Sequence, residues 1–480
     1  MPRTVVTTDM EQDDLASLIR YLLYTNELDT QGLIYTSSRF HWSGDGKRTK
    51  FFLEDREYDT PQWTWRWTGT RYIQDIVLKA YSEVWPNLLN HDPFYPTPDE
   101  LLGMVKIGNI EFEGEMEKET EGSDFIKELL LDDDERTLYL QAWGGTNVIA
   151  RALKSIEEEY SGSQTQNWTQ VQESVSRRAV ILASGFQDTT YTDYIACNWP
   201  DIRVEDFSAG YATWAYNCDR GQGNIRGLPD NHVYFTGQWT KANIQKGAYG
   251  KLYRSWLDGQ YMPGDALDVF GNATWLANSA QTCQPLEPYD FLSEGDNVVF
   301  NPLINTGIQD PANPALGSWG GRAAQNTTSP NLWELVETEK NQTGADAELY
   351  TINRWIAPIQ NDFAARMQWT LTANYTQANH APVVEIVNGT TVEARPGSTV
   401  SLVGKVSDPD DDSVATSWWQ YIEEGTYPGT VDVTESDNSW ADVTVPEDAE
   451  AGQTISVILQ GTDDSENPLT RYDRVVIHVV

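Results

Sequence analysis

Short apolar runs alternate with helical periodicities along the first part of the chain, and that alternation restricts the folds open to it. Residues 4–8 (TVVTT) form a β-branched run that reads as a buried strand. Leu15, Leu18, Ile19, Leu22 and Leu23 then fall at helical spacing, so a helix begins at Asp13 or Asp14. Residues 32–36 (GLIYT), 138–142 (LYLQA) and 179–183 (AVILA) read as further strands, with helical patterns over 73–80, 123–131 and 147–158. Strands that alternate with helices need crossover connections, which implies an α/β fold with a mostly parallel sheet covered on both faces. Such sheets bind ligands beyond the carboxyl ends of their strands, here the loops after Thr8, Thr36, Ala142 and Ala183. Residues 198–369 are irregular and rich in Gly, Asn, Pro and Trp, with one helix expected over 360–369. Near residue 380 the pattern changes to short alternating strands separated by turns (PVVEIV, STVSLVGKV, SWWQYI, YDRVVIHVV). We therefore expect an α/β domain over 1–379 and an all-β immunoglobulin-like sandwich over 380–480.

The first of the ligand-facing loops is also the most highly charged. It reads Thr7-Thr8-Asp9-Met10-Glu11-Gln12-Asp13-Asp14, four carboxylates in six residues between strand and helix. Charges this crowded repel, and a divalent cation relieves them. Hard oxygen donors favour Ca²⁺ or Mg²⁺, and Ca²⁺ accepts the larger, less regular shell. Ordinary helix-start chemistry accounts for Asp13 or Asp14, but not for Asp9 and Glu11 as well.

VVTTDMEQDDLASLI resembles the N-terminal signature of the nucleoside hydrolases, Asp-x-Asp-Pro-Gly-x-Asp-Asp followed by a helix. Thr7 stands where that pattern has its first aspartate and Glu11 where it has glycine. The resemblance implies that Asp9 and Asp14 bind calcium, that Asp9 activates water and that Asp13 holds a sugar hydroxyl. Residues 142–147 (AWGGTN) are similar to a turn of that fold whose strand-end carbonyl completes the metal shell, here Ala142; Trp143 and Asn147 belong to the same turn. Gln187 and Asp188 follow the next strand, where sugar-binding polar groups are implied. In residues 293–296 (SEGD), Asp296 takes by position the place of the late acidic ligand, and a glycoside hydrolase would use an acid such as Glu294 for the leaving oxygen. No His precedes Asp296, so departure of a nucleobase is not the expected reaction. Over the full length, YTSSRFHWSGDG, VKIGNIEFEGEMEKETEGS, GSWGGR, QNDFAARMQW, ANHAPVV and SDPDDD resemble one family. It is the cellulose-binding-protein family, which joins a nucleoside-hydrolase-like domain to an immunoglobulin-like one.

Aromatic residues extend the expected site. Trp63, Trp65 and Trp67 share a face if their segment is extended, forming a platform for sugar rings or packing as core. Ser37, His41 and Trp42 follow the second strand on the ligand rim, although a loop histidine is often just satisfied by its neighbours. Residues 407–412 (SDPDDD) read either as a calcium-stabilised turn or as a solvated acidic one.

A formal charge of −39 repels phosphodiesters and anionic lipid, so neither nucleic acid nor membrane is expected as a partner. Six Asn-x-Thr sequons, at Asn167, Asn272, Asn326, Asn341, Asn374 and Asn388, indicate a secreted glycoprotein, with Met1 in place of a removed signal peptide. Cys197, Cys218 and Cys283 allow one disulfide and leave one thiol. The expected function is that of a calcium-dependent glycoside hydrolase acting on a plant or microbial polysaccharide or oligosaccharide. In this reading Asp9 and Glu294 are catalytic, and the resemblance admits a homo-oligomer. A non-catalytic cellulose-binding protein and a polysaccharide lyase are the alternatives.

Overall fold

The computed structural model describes residues 1–480 except 163–166, 217–228, 282, 284–285, 342 and 438. Its first strands are β1 (Arg3–Thr8), β2 (Asp29–Tyr35), β3 (Val105–Ile107), β4 (Leu138–Ala142), β5 (Ala179–Ala183) and β6 (Arg203–Asp206). With β7 (Ala323–Gln325) and β8 (Leu332–Leu335) they form one eight-stranded sheet in the order β3-β2-β1-β4-β5-β6-β8-β7. Every pairing is parallel except that of the edge strand β7 with β8.

Side chains that alternate along the inner strands divide between two apolar layers. Val6, Leu33, Tyr35 and Tyr139 lie in one layer, while Val5, Ile34, Leu138 and Leu140 lie in the other. The helices α1 (Gln12–Leu22) and α5 (Ile356–Trp369) contribute to the first layer. The second is covered by α2 (Glu121–Leu131) and α3 (Asn147–Tyr160), with α4 (Trp168–Arg178) alongside. The sheet is thus covered on both faces, as its βαβ pattern implies. Every residue of α1 is buried, including Asp13, Asp14 and Arg20.

The C-terminal strands build two four-stranded sheets packed face to face. Leu402, Trp418, Val457 and Val475 belong to the core between them. The first apolar layer of the α/β part continues into this sandwich through Tyr421, Ile458 and Tyr472. Trp418 and Trp419 face opposite ways, as adjacent strand residues must. Trp418 enters the sandwich core, whereas Trp419 packs on Trp355 and Tyr421. Arg354 sits among the same rings, 4.8 Å from Trp355, 5.0 Å from Trp419 and 4.4 Å from Tyr421.

A column of rings marks the start of the sandwich. His91 stacks on Trp369 and His380 on Tyr375, while His91 Nδ1 and His380 Nε2 meet at 3.0 Å. That contact holds one proton, so charging both rings puts two N–H groups head to head. Burial pushes both imidazoles below the ordinary histidine value, although Asp410 beside His380 acts in the opposite direction. The unfolded chain therefore takes up these protons first, near pH 6.5. Stability at this junction is full above that pH and is lost as pH falls towards the depressed folded values. Thermal unfolding followed from pH 7.5 to 5 is expected to show the loss, and His91→Asn to flatten it.

The sequons have a local structural use. Asn167, Asn272, Asn326 and Asn341 each accept, through Oδ1, the backbone N–H of the Thr two residues on. Cys283 is disulfide-bonded and Cys197 is a free, exposed thiol, while Cys218 lies outside the described residues. No described helix is long and apolar enough to cross a membrane.

Candidate functional site

The chain leaves β1 at Thr8 and turns through Met10, whose backbone is left-handed at φ 55°. Thr8 Oγ1 accepts the Met10 N–H at 3.0 Å and donates to Asp14 Oδ1, which ties the strand end to the first turn of α1. Glu11 occupies the N-cap position, but no side chain caps that helix. Capping therefore does not account for these carboxylates.

Asp13 and Asp14 meet Asp296, which comes from the irregular middle of the chain, with carboxylate oxygens within 4.8 Å of one another; all three residues are buried. Close packing of backbone permits this: a Cβ on Gly295 would lie 2.4 Å from Asp13 Oδ2, and one on Gly144 3.0 Å from Asp9 Cβ. Burial, and then repulsion from one another, Asp9 and Glu11, holds Asp13, Asp14 and Asp296 well above the usual carboxylate range. Both Asp9 oxygens and Asp296 Oδ2 are buried without a hydrogen-bond partner.

A second group adjoins the first. His41 Nδ1 lies 3.3 Å from Glu11 and 3.5 Å from Asp9, and its Nε2 lies 3.5 Å from Asp265. Arg66 holds Asp265 through two bonds of 2.8 and 3.1 Å and reaches Glu11 at 3.2 Å. Burial opposes charge on Glu11, yet His41 and Arg66 outweigh it and draw its carboxyl down to about 2. A cavity of about 350 Å³ opens over both groups. Its walls include Glu11, Asp13, Asp14, Arg66, Gln187, Asp296 and the rings of Phe40, Tyr211, Tyr216 and Phe270.

Residues 3–323 match the family described as cellulose-binding Sde182, nucleoside hydrolase-like domain, and residues 399–479 match the cellulose-binding protein Sde0182 C-terminal domain. The chain belongs to the cellulose-binding Sde182 family. A solved structure that covers all of this chain, and is itself covered in full, matches at 26% identity and a TM-score of 0.71. It is described as a nucleoside hydrolase-related hypothetical protein from Saccharophagus degradans associated with carbohydrate metabolism. A plant nucleoside hydrolase aligns over 78% of this chain and 99% of its own at 12% identity, with a TM-score of 0.34. Comparison with curated proteins finds no match.

Within this Sde182-family chain, Asp9, Asp13, Asp14, His41, Gln187 and Asp296 gather at the cavity or directly behind it. Several expected site residues lie elsewhere. Glu294 is fully buried in an ion pair with Arg20, at 2.7 and 3.0 Å, and is bonded to Asn297 and Tyr253, so its oxygens are engaged in the interior and do not face the cavity. Trp143 packs in the core on Tyr21 and Phe300. Asn147 is buried, donating to Ser37 Oγ and to the Asn109 carbonyl, and Ser37 in turn donates to the Phe112 carbonyl. Asp188 is spent on Thr146, Thr190 and the Asn147 N–H. None of these five side chains is among the walls of that cavity. The Ala142 carbonyl accepts the Ser184 N–H.

Trp42 is buried against Phe51 and Phe112, and Trp65 packs on Tyr58. Arg66 is left-handed at φ 46°, which breaks the extended run, so the three alternating tryptophans do not form one platform; Trp63 alone is 50% exposed. Sequence reasoning missed Asp265, Tyr211, Tyr216 and Phe270 because they lie in the irregular middle of the chain, where no periodicity marks them. Arg66 was visible only as a neighbour of the tryptophans.

Proposed function

We propose that the chain is a secreted, calcium-dependent glycoside hydrolase acting on a plant or microbial polysaccharide or oligosaccharide. The convergence of Asp13, Asp14 and Asp296 on an aromatic-walled cavity carries this reading. The unpartnered oxygens of Asp9 and Asp296 fit a hard cation, and all the donors are oxygen. Asp9, Asp14 and Asp296 would hold calcium, with the Ala142 carbonyl as the fourth donor that the family resemblance implies. When bound, calcium would polarise water and sugar hydroxyls. Asp13 binds a sugar hydroxyl, Asp9 accepts the proton of the attacking water, and the ring walls of Tyr211, Tyr216 and Phe270 stack on the sugar. Secretion is supported by the disulfide at Cys283 and by the sequons. A homo-oligomer belongs to the same proposal, by analogy with hydrolases of this fold.

One observation favours a second reading, a non-catalytic polysaccharide-binding protein. With Glu294 committed to Arg20, the residue expected from the sequence as the acid for a leaving oxygen is not at the cavity. A panel of cellulose and other glycans, incubated with the protein with and without chelator, separates the two. Calcium-dependent release of reducing ends supports hydrolysis. Glycan retention without release supports binding alone, and the absence of both release and retention rejects both readings. Under the hydrolytic reading Asp9→Asn is expected to lower the rate by ~10²–10⁴-fold with the circular dichroism spectrum unchanged. An unaffected rate removes Asp9 from the mechanism.

A further inference from the structure

One calcium ion does not settle the charge at this site. Glu11, Asp13, Asp14 and Asp296 line one cavity with Asp9 behind them, and Arg66 is divided among Asp265, Glu57 and Glu11. His41 lies between the Asp9 and Glu11 carboxylates on one side and Asp265 on the other, fully buried, and neither ring nitrogen makes a hydrogen bond. We propose that Asp9, Glu11 and His41 form a second cation seat, taking a divalent ion of the zinc or manganese type beside the oxygen-only seat of Asp13, Asp14 and Asp296.

Three observations meet here. The Nδ1 separations of 3.3 Å from Glu11 and 3.5 Å from Asp9 are long for hydrogen bonds. They suit two donors sharing an ion: with each donor about 2.1 Å from the centre, they subtend roughly 100–115°, close to the tetrahedral angle. Both Asp9 oxygens are buried without hydrogen bonds, so Asp9 has donors for either seat. Finally, the far side of the ring carries the arrangement expected of a metal-bound imidazole. Asp265 stands 3.5 Å from Nε2 and is itself fixed by two bonds from Arg66, so it orients the ring with Nδ1 towards the cluster. An imidazole donor shifts preference from calcium towards the transition-type ions, which separates the two seats chemically.

Cobalt(II) is the probe, because nitrogen-containing tetrahedral sites give it strong visible absorption. Full-length protein stripped with chelator and resupplied with saturating calcium is titrated with Co²⁺, and both metals are counted by elemental analysis. The expected result is one calcium and one cobalt per chain, with visible bands that His41→Asn abolishes while calcium stays at one. Glu11→Gln, which keeps the shape of the side chain, is expected to weaken cobalt binding at least tenfold. Cobalt that displaces calcium one for one, no cobalt uptake by a folded wild type, or unchanged uptake by His41→Asn each overturns the second seat. Calcium stoichiometry is read in the same samples. Failure of the calcium reading is therefore distinguishable from failure of this one.

Discussion

Calcium added to chelator-treated protein at pH 7.5 is expected to raise its thermal midpoint by several degrees, and at pH 4.5 to do much less. Asp13, Asp14 and Asp296 are held well above the usual carboxylate range by burial and by one another. A group with a raised folded value stabilises the fold fully below its unfolded value, here about 3.8, and that contribution is lost as pH rises through the raised one. The metal-free protein should thus weaken from acid to neutral pH, as the cluster is forced to ionise inside the fold. A divalent ion takes over the role of the protons, and at 100 to 1,000 times its Kd it contributes about 2.7–4.1 kcal/mol. Asp296→Asn removes one charge from the cluster. The variant should be more stable than the metal-free wild type at pH 7.5 and nearly blind to calcium. Equal calcium shifts in both proteins, or none in the wild type, would defeat this account.

The second large effect concerns Glu294. Its pair with Arg20 is fully buried on both sides, and Arg20 also donates to Gln360 and lies 4.0 Å from the Phe363 ring centre. Removing one member of such a pair leaves the other charge stranded in the interior. Glu294→Ala is expected to cost about 3–5 kcal/mol in urea unfolding. The paired replacement Arg20→Met with Glu294→Leu should recover most of that, because two apolar side chains strand no charge. Glu294→Gln provides the functional test: purified in folded form, it should retain whatever glycan binding or release the wild type shows. Loss of release with unchanged stability would restore Glu294 as an acid.

The parts of the fold that obey a short period were legible in the sequence. Period-two alternation in Val5, Val6, Leu33 and Ile34 assigns side chains to opposite faces of the sheet, and the structure places them so. The loop after the first strand could be singled out because Asp9, Glu11, Asp13 and Asp14 are close in sequence. Asp265 reaches Arg66 across 199 positions, and no local pattern encodes a pairing of that span. Glu294 was misplaced for a related reason. It lies two residues from Asp296, but only the packing of Arg20, Tyr253 and Asn297 around it reveals that it points into the core. Tryptophans misled in the same way, since Trp42, Trp65 and Trp143 are as suited to a core as to a sugar.

The apolar layer that runs from the α/β sheet into Tyr421, Ile458 and Tyr472 makes the chain indivisible in practice. A fragment ending near residue 380 would leave Trp355 and its neighbours facing water and deprive Arg354 of two of its aromatic partners. Such a truncation would be prone to clump through that sticky patch. The C-terminal sandwich thus serves as the cover that keeps this apolar face of the larger α/β part out of water.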